Sequence, residues 1–407
     1  MHVLYFHQHF STPAGATGTR SYEMARALVG RGHRVTMVCG STGVGSSGLA
    51  GEPRRGLREG MVDGISVKEL CLPYSNRDGF VKRSATFLRY AWRSVGIAWR
   101  TDYDLLFASS TPLTAGIPGI AMRILKRRRP FVFEVRDLWP ELPRAMGVIA
   151  NPLALAALSA LEWASYRAAD GCIGLAPGIV AGIRRRSAPT APVALVPNGC
   201  DLDLFRPVPK PRTGAPGTLR AVFTGAHGMA NGLAAVLDAA AELKRRGRAG
   251  IFLEFIGEGR LKPELVARAA REGLDNCRFR DSIPKRKLVQ ILREMDVGLM
   301  VLADVPAFYR GTSPNKFFDY IACGLPVLNN YPGWLAEMIA AHECGLAVKP
   351  RDPAAFADAL IRLADHPDER VRMGVNARRL AEQEFARDVL AERWVAFLER
   401  IFAESRR

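Results

Sequence analysis

Short, unbroken apolar runs recur along the chain at the spacing of strands in a covered sheet, and this pattern limits the possible folds more than any other feature. In the first half they are VLYF, RVTMVC, ISVKEL, DLLFAS, FVFEV, GCIGLA and VALVP. Runs that do not alternate with polar residues bury both faces, as strands of parallel sheets do. Helical spacing follows the first, fourth and sixth run, so this half is expected to be a doubly wound α/β domain. The stretch PNGCDLDLFRPVPKPRTGAPGT then brings five prolines and three glycines without periodicity, which marks a linker. Beyond it the pattern restarts with LRAVFTG, IFLEFIG, CRFR, DVGLMVL, LPVL and GLAV, separated by helical segments and followed by three more. A chain of 407 residues also exceeds what one core usually serves. The expectation is two Rossmann-like α/β domains facing across a cleft, residues 1–198 and 218–384, with a linker at 199–217. The C-terminal helix, at 385–407, is expected to return to the first domain.

Charge narrows the partners. The formal charge is +17; residues 1–199 carry 25 Lys and Arg against 13 Asp and Glu, and residues 200–407 carry 32 against 27. Such an excess implies an anionic partner: nucleic acid, an anionic lipid surface or a phosphorylated small molecule. The zinc-finger spacing, RNP motif and basic heptad region that would point to nucleic acid are absent, so the expectation is no nucleic acid. Seven cysteines without a CxxC pair read as reduced thiols of a cytosolic protein. MHVLYFHQHF reads as a strand, not a signal peptide, and no run is long and apolar enough to span a membrane.

Three loops could carry chemistry. In TPAGATGTRSYEMARALVGRGHRV, Gly15 and Gly18 let the backbone approach a ligand, and Thr17 or Thr19 can cap the following helix. The spacing is not GxGxxG, and a plain tight turn explains the glycines as well. FTGAHGMANG repeats the design at the start of the second domain: Gly225, Gly228 and Gly232 keep the loop bare, and a helix beginning near Asn231 would offer amides to an anion. His227 could donate to a phosphate or be a loop histidine with no role. In FIGEGR, Gly257 and Gly259 bracket Glu258 at the C-terminal sheet edge, where ligands of open α/β folds bind.

SPNKFFDYIACGLPV, residues 313–327, is the sharpest of the stretches. Ser313 and Pro314 suit the opening of a helix. Lys316 then stands in the first turn, where a cation opposes the macrodipole unless an anion is to be met there. Asp319 follows one turn on, on the same face. Lys316 on a phosphate and Asp319 on a ribose diol would hold a nucleoside diphosphate; the alternative is a surface salt bridge worth a few tenths of a kcal/mol.

PNGCDLDLF, FIGEG and SPNKFFDYIACGLPV, in that order after a Gly-rich first loop, resemble the GT-B retaining glycosyltransferases of family 4 over nearly the whole chain. EVRDLWPE, residues 134–141, looks like the bacterial surface-polysaccharide subgroup that includes N-acetyl-L-fucosamine transferases of O-antigen and capsule assembly. The resemblance implies a nucleoside-diphosphate-sugar donor, UDP-linked, on the second domain, an acceptor on the first, and no metal cofactor. It places Asp319 on the ribose, with Asn198, His227, Gly228, Asn231, Glu258, Gly259 and residues 313–315 around the donor. Arg136 and Asp137 fall on the family's His-Asp motif on the acceptor side, between Glu134 and Glu141. The family's sugar-contacting Glu falls on Gly311, and its loop Arg and Lys near Ala226 and on Asn231. With those cations gone, Lys316 is the remaining charge for the diphosphate.

DLD, residues 201–203, has a metal-binding form but offers too few hard ligands alone. HQH, residues 7–9, lacks a third zinc ligand. The segment FVKRSATFLRYAWRSVGIAWR, residues 80–100, mixes Lys82, Arg83, Arg89, Arg93 and Arg100 with Phe80, Phe87, Trp92 and Trp99, and LKRRRP follows at 125–130. This suits a helix lying on an anionic membrane surface, or a solvated helix covering the sheet. A polyprenyl-diphosphate-linked or other lipid-linked saccharide acceptor would explain the more basic first domain and a position on the inner face of the plasma membrane. The rival readings are a sugar-nucleotide epimerase, a non-catalytic nucleotide-sugar binder and a nucleic-acid protein.

Overall fold

Val3, Leu4, Tyr5 and Phe6 are all fully buried, so the first strand, β1 (His2–Phe6), is covered on both faces, as an apolar run without alternation requires. The computed structural model describes residues 1–15, 17–42, 45–74, 78–126, 129–207 and 217–407. It divides into two units: Met1–Pro197 with Arg310–Ser313 and Asp388–Arg407, and Asn198–Tyr309 with Pro314–Arg387.

The first unit holds β1, β2 (Arg34–Thr42), β3 (Leu57–Val62), β4 (Ile65–Tyr74), β5 (Leu105–Ser109), β6 (Phe131–Val135), β7 (Gly171–Gly174) and β8 (Val193–Leu195). Their order is β3-β4-β2-β1-β5-β6-β7-β8, so the winding reverses between β1 and β5. All pairs are parallel except β3 with β4. That hairpin was not anticipated: LREGMV is half-exposed, so no continuous apolar run announces it. Its turn is an Asp-Gly pair, Asp63 at φ 49° and Gly64 at φ 83°, the left-handed pair that two-residue hairpins favour.

The helix Arg387–Glu404 packs on this sheet. Trp394, fully buried, stacks on Tyr5 with centroids 5.9 Å apart and meets Phe107 edge-on at 4.8 Å. Gly171 on β7 leaves room for this helix: a Cβ there would stand 2.9 Å from Ile401.

The second unit has β9 (Leu219–Thr224), β10 (Ile251–Ile256), β11 (Cys277–Arg280), β12 (Val297–Met300), β13 (Val327–Asn329) and β14 (Gly345–Ala347), all parallel, in the order β11-β10-β9-β12-β13-β14. Its winding reverses between β9 and β12. Its element order is the one the sequence pattern predicts, and its core joins Phe223, Leu237, Leu253, Phe255, Leu299 and Leu360. The start of the expected linker is a packed part of this unit: Cys200 pairs with Ala386, and Cys200 and Phe205 are fully buried. Of that linker, residues 208–216 lie outside the described residues.

Candidate active site

Ligands of open α/β sheets bind where the winding reverses, beyond the carboxyl ends of the strands. In the second unit that place is the loop after β9. Gly225 has φ 138°, and Gly232, at φ 53°, sits against Ala303 so closely that a Cβ would come within 2.7 Å of its Cα. The helix expected near Asn231 starts later. Met229–Asn231 forms a single 3₁₀ turn, Gly232 breaks it in a left-handed conformation, and the α-helix begins at Ala234. Asn231 therefore contributes its side chain: Nδ2 donates to Ala226 O (2.7 Å), and Oδ1 accepts from Lys316 Nζ (2.6 Å).

Lys316 comes from the helix Asn315–Ala322, whose cap position is Pro314; Ser313 does not cap it through its side chain, and it clusters with the first unit. The helix is held in place by its buried face. Phe317 and Phe318 are in the core, and Tyr320 Oη accepts from Thr224 N at 2.8 Å. Lys316 Nζ lies 4.2 Å from the Phe223 ring centroid, and a Cβ on Gly225 would stand 3.4 Å from its Cε. Among the described residues no carboxylate pairs with it. Burial pushes its ammonium down to about 7, because a charge in a poorly hydrated place without a counterion is disfavoured.

The same-face reading of Lys316 with Asp319 does not hold. Lys316 turns to Asn231, whereas Asp319, 7 % exposed, pairs with Lys285 Nζ at 3.1 Å, and Lys285 lies over the Phe205 ring at 5.0 Å. His227 is fully buried, ringed by Phe223, Phe255 and Phe279 at 6.0–6.4 Å, and neither ring nitrogen has a hydrogen-bond partner among the described residues. Burial first, then the charge of Lys262, pushes it to about 4. It is neutral at physiological pH and points into the aromatic box, which opposes a direct phosphate contact. Gly228 precedes the 3₁₀ turn with open space about it.

Gly257 and Gly259 have a packing reason. A Cβ on Gly257 would meet Gly225 O at 1.9 Å, and one on Gly259 the His227 backbone at 2.4 Å. The two loops are zipped by His227 N donating to Glu258 O (2.9 Å) and Leu261 N to His227 O (3.0 Å). The Glu258 side chain pairs with Lys262 at 3.0 Å. Asn198 is buried at the start of the unit. Asp201 Oδ1 accepts from Leu204 N, and Asp203 pairs with Arg206, so the DLD carboxylates hold their own turn.

In the first unit, Glu134 is no substrate ligand. It is fully buried on β6, accepts from Arg20 Nη2 (2.7 Å), Arg20 Nε (3.1 Å) and Ser109 Oγ (2.8 Å), and Arg20 also donates to Val196 O and Pro197 O. Burial pushes its carboxyl up, but Arg20's charge and hydrogen bonds outweigh that, leaving it below the usual range. A glutamate inside the apolar run FVFEV was the available signal, since a charge in a doubly covered strand must be paired. Glu254 in IFLEFI follows the same rule, with Arg220 at 2.6 Å and Arg280 at 3.0 Å.

Arg136 and Asp137 lie just beyond β6, and their side chains reach the loops after β1 and β5, the strands between which this unit's winding reverses. Arg136 N donates to Ser110 Oγ (2.9 Å), and its guanidinium reaches His7 Nε2 at 3.5 Å. Asp137 accepts from Thr111 Oγ1 at 3.3 Å; burial holds its carboxyl above the ordinary range, against the pull of Arg136 and of Thr111. Thr111 has φ 79°, a costly position for a β-branched residue. His7 and Thr111 were not expected here. Glu141 opens the five-residue helix Glu141–Ala145, exposed and without a hydrogen bond or ion pair among the described residues, so the structure does not bring it to Arg136.

Gly15 is close-packed, a Cβ meeting Ser11 Oγ at 2.3 Å, and Gly18 is exposed; Ala16 lies outside the described residues. Neither Thr17 nor Thr19 caps the helix Arg20–Gly30. The helix Phe80–Arg100 exposes Val81, Leu88, Trp92 and Trp99 along one stripe, Trp92 to 80 %, beside exposed Lys82, Arg89 and Arg100. Two of its cations turn inward: Arg83 lies over the Tyr74 ring at 5.7 Å, and Arg93 donates to Gly56 O. Phe87 also faces inward, against Tyr74, and the side chain of Phe80 lies outside what is described, as do Arg127 and Arg128. No helix among the described residues is long and apolar enough to cross a membrane.

Two doubly wound units, each with candidate residues at its reversal point, define the GT-B class, and solved structures with this fold superpose along the whole chain. Sucrose-phosphate synthase from Thermosynechococcus elongatus does so with TM-score 0.77 and 20 % identity, covering 99 % of each chain. Anabaena HepE in complex with UDP-glucose has TM-score 0.68 and 14 % identity, over 98 % of this chain and 100 % of that one. Residues 15–199 match the glycosyl transferase 4-like domain and residues 218–366 the glycosyl transferases group 1 family. The chain thus joins a glycosyl transferase 4-like domain to a glycosyl transferases group 1 domain in the GT-B fold. It is 31 % identical over 227 residues to D-inositol 3-phosphate glycosyltransferase of Streptomyces coelicolor, over 49 % of this chain and 48 % of that protein. It thus spans about half the length of the curated relatives it matches.

Proposed function

We propose that the protein is a retaining glycosyltransferase that moves a hexose or an amino or deoxy-amino sugar from a UDP-linked donor to a lipid-linked saccharide in surface-polysaccharide assembly, in the manner of the N-acetyl-L-fucosamine transferases. The observation that carries the reading is Lys316: an ammonium at a helix start, over an aromatic ring, with an amide oxygen as its partner and no carboxylate paired with it among the described residues. A diphosphate supplies the missing negative charge. Lys316 and the first amides of its helix would stabilise the charge that grows on the diphosphate as the sugar leaves, which is catalysis by donors already in place. The leaving diphosphate would take the proton of the attacking hydroxyl, so no protein nucleophile is needed, and the positive charge comes from Lys316 without a metal ion. The first unit would hold the acceptor, with Asp137 orienting the hydroxyl.

The exposed stripe Val81, Leu88, Trp92 and Trp99, flanked by Lys82, Arg89 and Arg100, supports a position on the anionic inner face of the plasma membrane, where a polyprenyl-diphosphate acceptor resides. Three measurements test the reading. Thermal-shift screening against nucleoside diphosphates and their sugars should single out UDP compounds; no stabilisation by any of them would remove the donor assignment. NMR of the donor without acceptor should show no new sugar isomer, and its appearance would favour an epimerase. On anionic liposomes, Trp92→Ser with Trp99→Ser should shift the protein to the supernatant, and an unchanged distribution would make the helix scaffold.

A further inference from the structure

The first unit contains a second cluster of cations that form no ion pair among the described residues. Arg136 leaves the end of β6, and its Nη1 stands 3.5 Å from His7 Nε2. His7 and His9 have ring centroids 6.5 Å apart, His9 lies 4.8 Å from Tyr74, and Arg83 covers the same Tyr74 ring at 5.7 Å. Arg136, His9 and Arg83 are all half-buried. Neither guanidinium forms an ion pair among the described residues. Asp137 is adjacent to Arg136 in sequence and its carboxyl, raised by burial, feels the pull of that guanidinium, but its hydrogen bond is to Thr111.

Both fields converge on His9. Burial first, then Arg136 and Arg83, push that imidazole down to about 4. His7 is pushed well below its usual range by burial, with Arg136 the next cause, and Ser21 Oγ lies 2.5 Å from its Nδ1. The result is two guanidiniums around two neutral rings: His7 accepts from Arg136 at Nε2 and has its N–H on Ser21 Oγ, so His9 is the ring with a hydrogen bond to give. Two like charges held half-buried without a direct ion pair repel each other and lose hydration, and a multiply charged anion between them reverses both effects.

We propose that Arg136, Arg83 and His9, with His7 holding the Arg136 guanidinium, form an anion site that takes the phosphate or diphosphate group of the acceptor, so that the protein selects acceptors whose receiving sugar is attached to phosphate. This rests on the transferase reading for the word acceptor; the anion site itself stands on the first unit's geometry alone.

Calorimetric titration of the full chain in saturating UDP, which occupies the Lys316 site, separates the two. Inorganic pyrophosphate and geranyl diphosphate serve as probes. Each should bind, and Arg136→Gln and Arg83→Gln should each weaken binding about tenfold or more, as loss of a charge-assisted contact does, with circular dichroism and UDP affinity unchanged. Tighter binding of geranyl diphosphate identifies a lipid-linked acceptor, and equal binding a soluble phosphorylated one; both support the site. Absence of binding by both probes while UDP still binds, or affinities unaltered in both variants, overturns it and leaves the donor reading standing. If UDP itself does not bind, the donor reading fails, and the same titration without UDP, on Lys316→Met protein, still decides the anion site.

Discussion

Arg20 and Lys316 are both cations in the first turn of a helix, one in each unit, and they have opposite fates. The macrodipole disfavours both, by a few tenths of a kcal/mol to about 1 kcal/mol. Arg20 is 1 % exposed and spends its guanidinium on a fully buried glutamate and two carbonyls, so its charge is cancelled inside the protein. Lys316 has an amide oxygen and a ring, and its charge is not cancelled. The comparison teaches where to look for a ligand: a cation with an internal counterion holds the fold together, whereas one without a counterion awaits an anion.

The largest effect should come from breaking the cancelled pair. Glu134→Ala strands a buried guanidinium, which costs about 3–5 kcal/mol. Urea unfolding should show that loss, with activity falling only as far as folded protein is lost. Because Glu134 is held below the usual carboxylate range, the pair's contribution is present above the unfolded carboxyl's pKa and lost as pH falls through the lower folded one. A stable Glu134→Ala protein with poor acceptor binding would reverse the comparison and return Glu134 to the substrate.

Next comes Lys316→Met, which keeps the stem over Phe223 and removes the charge. Turnover should fall about 10²- to 10³-fold, the usual penalty for one electrostatic donor to a developing anion. Stability should hold or rise, because a desolvated ammonium is gone. A loss of several kcal/mol in urea, with turnover per folded molecule intact, would place Lys316 with Arg20.

A subtler consequence follows from its lowered ionisation. At pH 8 the free Lys316, near 7, is mostly neutral, and an adjacent diphosphate raises its pKa and restores the proton. UDP binding should therefore take up close to one proton at pH 8 and little at pH 6. Calorimetry in buffers of different ionisation enthalpy reads this directly, and Lys316→Met should abolish the uptake. Uptake unchanged in the variant would mean that another group carries the charge.

Much of this was legible in the sequence for a physical reason: apolar runs without alternation can be satisfied only by covered parallel strands, and Lys316 opposed its own helix dipole. Side-chain direction was not legible. Spacing put Lys316 and Asp319 on one helix face, but Asn231, 85 positions away, and Lys285 decided where each turned. Glu134 and Glu141 lay in one motif; strand burial took the first into the sheet and left the second exposed. His227 sat in a bare loop of glycines, and three phenylalanines from separate strands closed around it. The half-exposed hairpin strand β3 left no apolar run to find.

The smallest effect defines the third kind of cation. Arg400, on the C-terminal helix, stands 4.0 Å from Glu404 one turn on, and both side chains are more than half exposed. Water cancels most of such a charge, so Arg400→Gln should change stability by less than about 0.5 kcal/mol and leave UDP affinity unaltered. Three positions thus separate by what neutralises them: Glu134 inside the fold for Arg20, solvent for Arg400, and a ligand for Lys316. A cost above 1 kcal/mol at Arg400 in urea unfolding would show that exposure does not sort these cations, and the inference from an uncancelled charge to a bound diphosphate would lose its reference point.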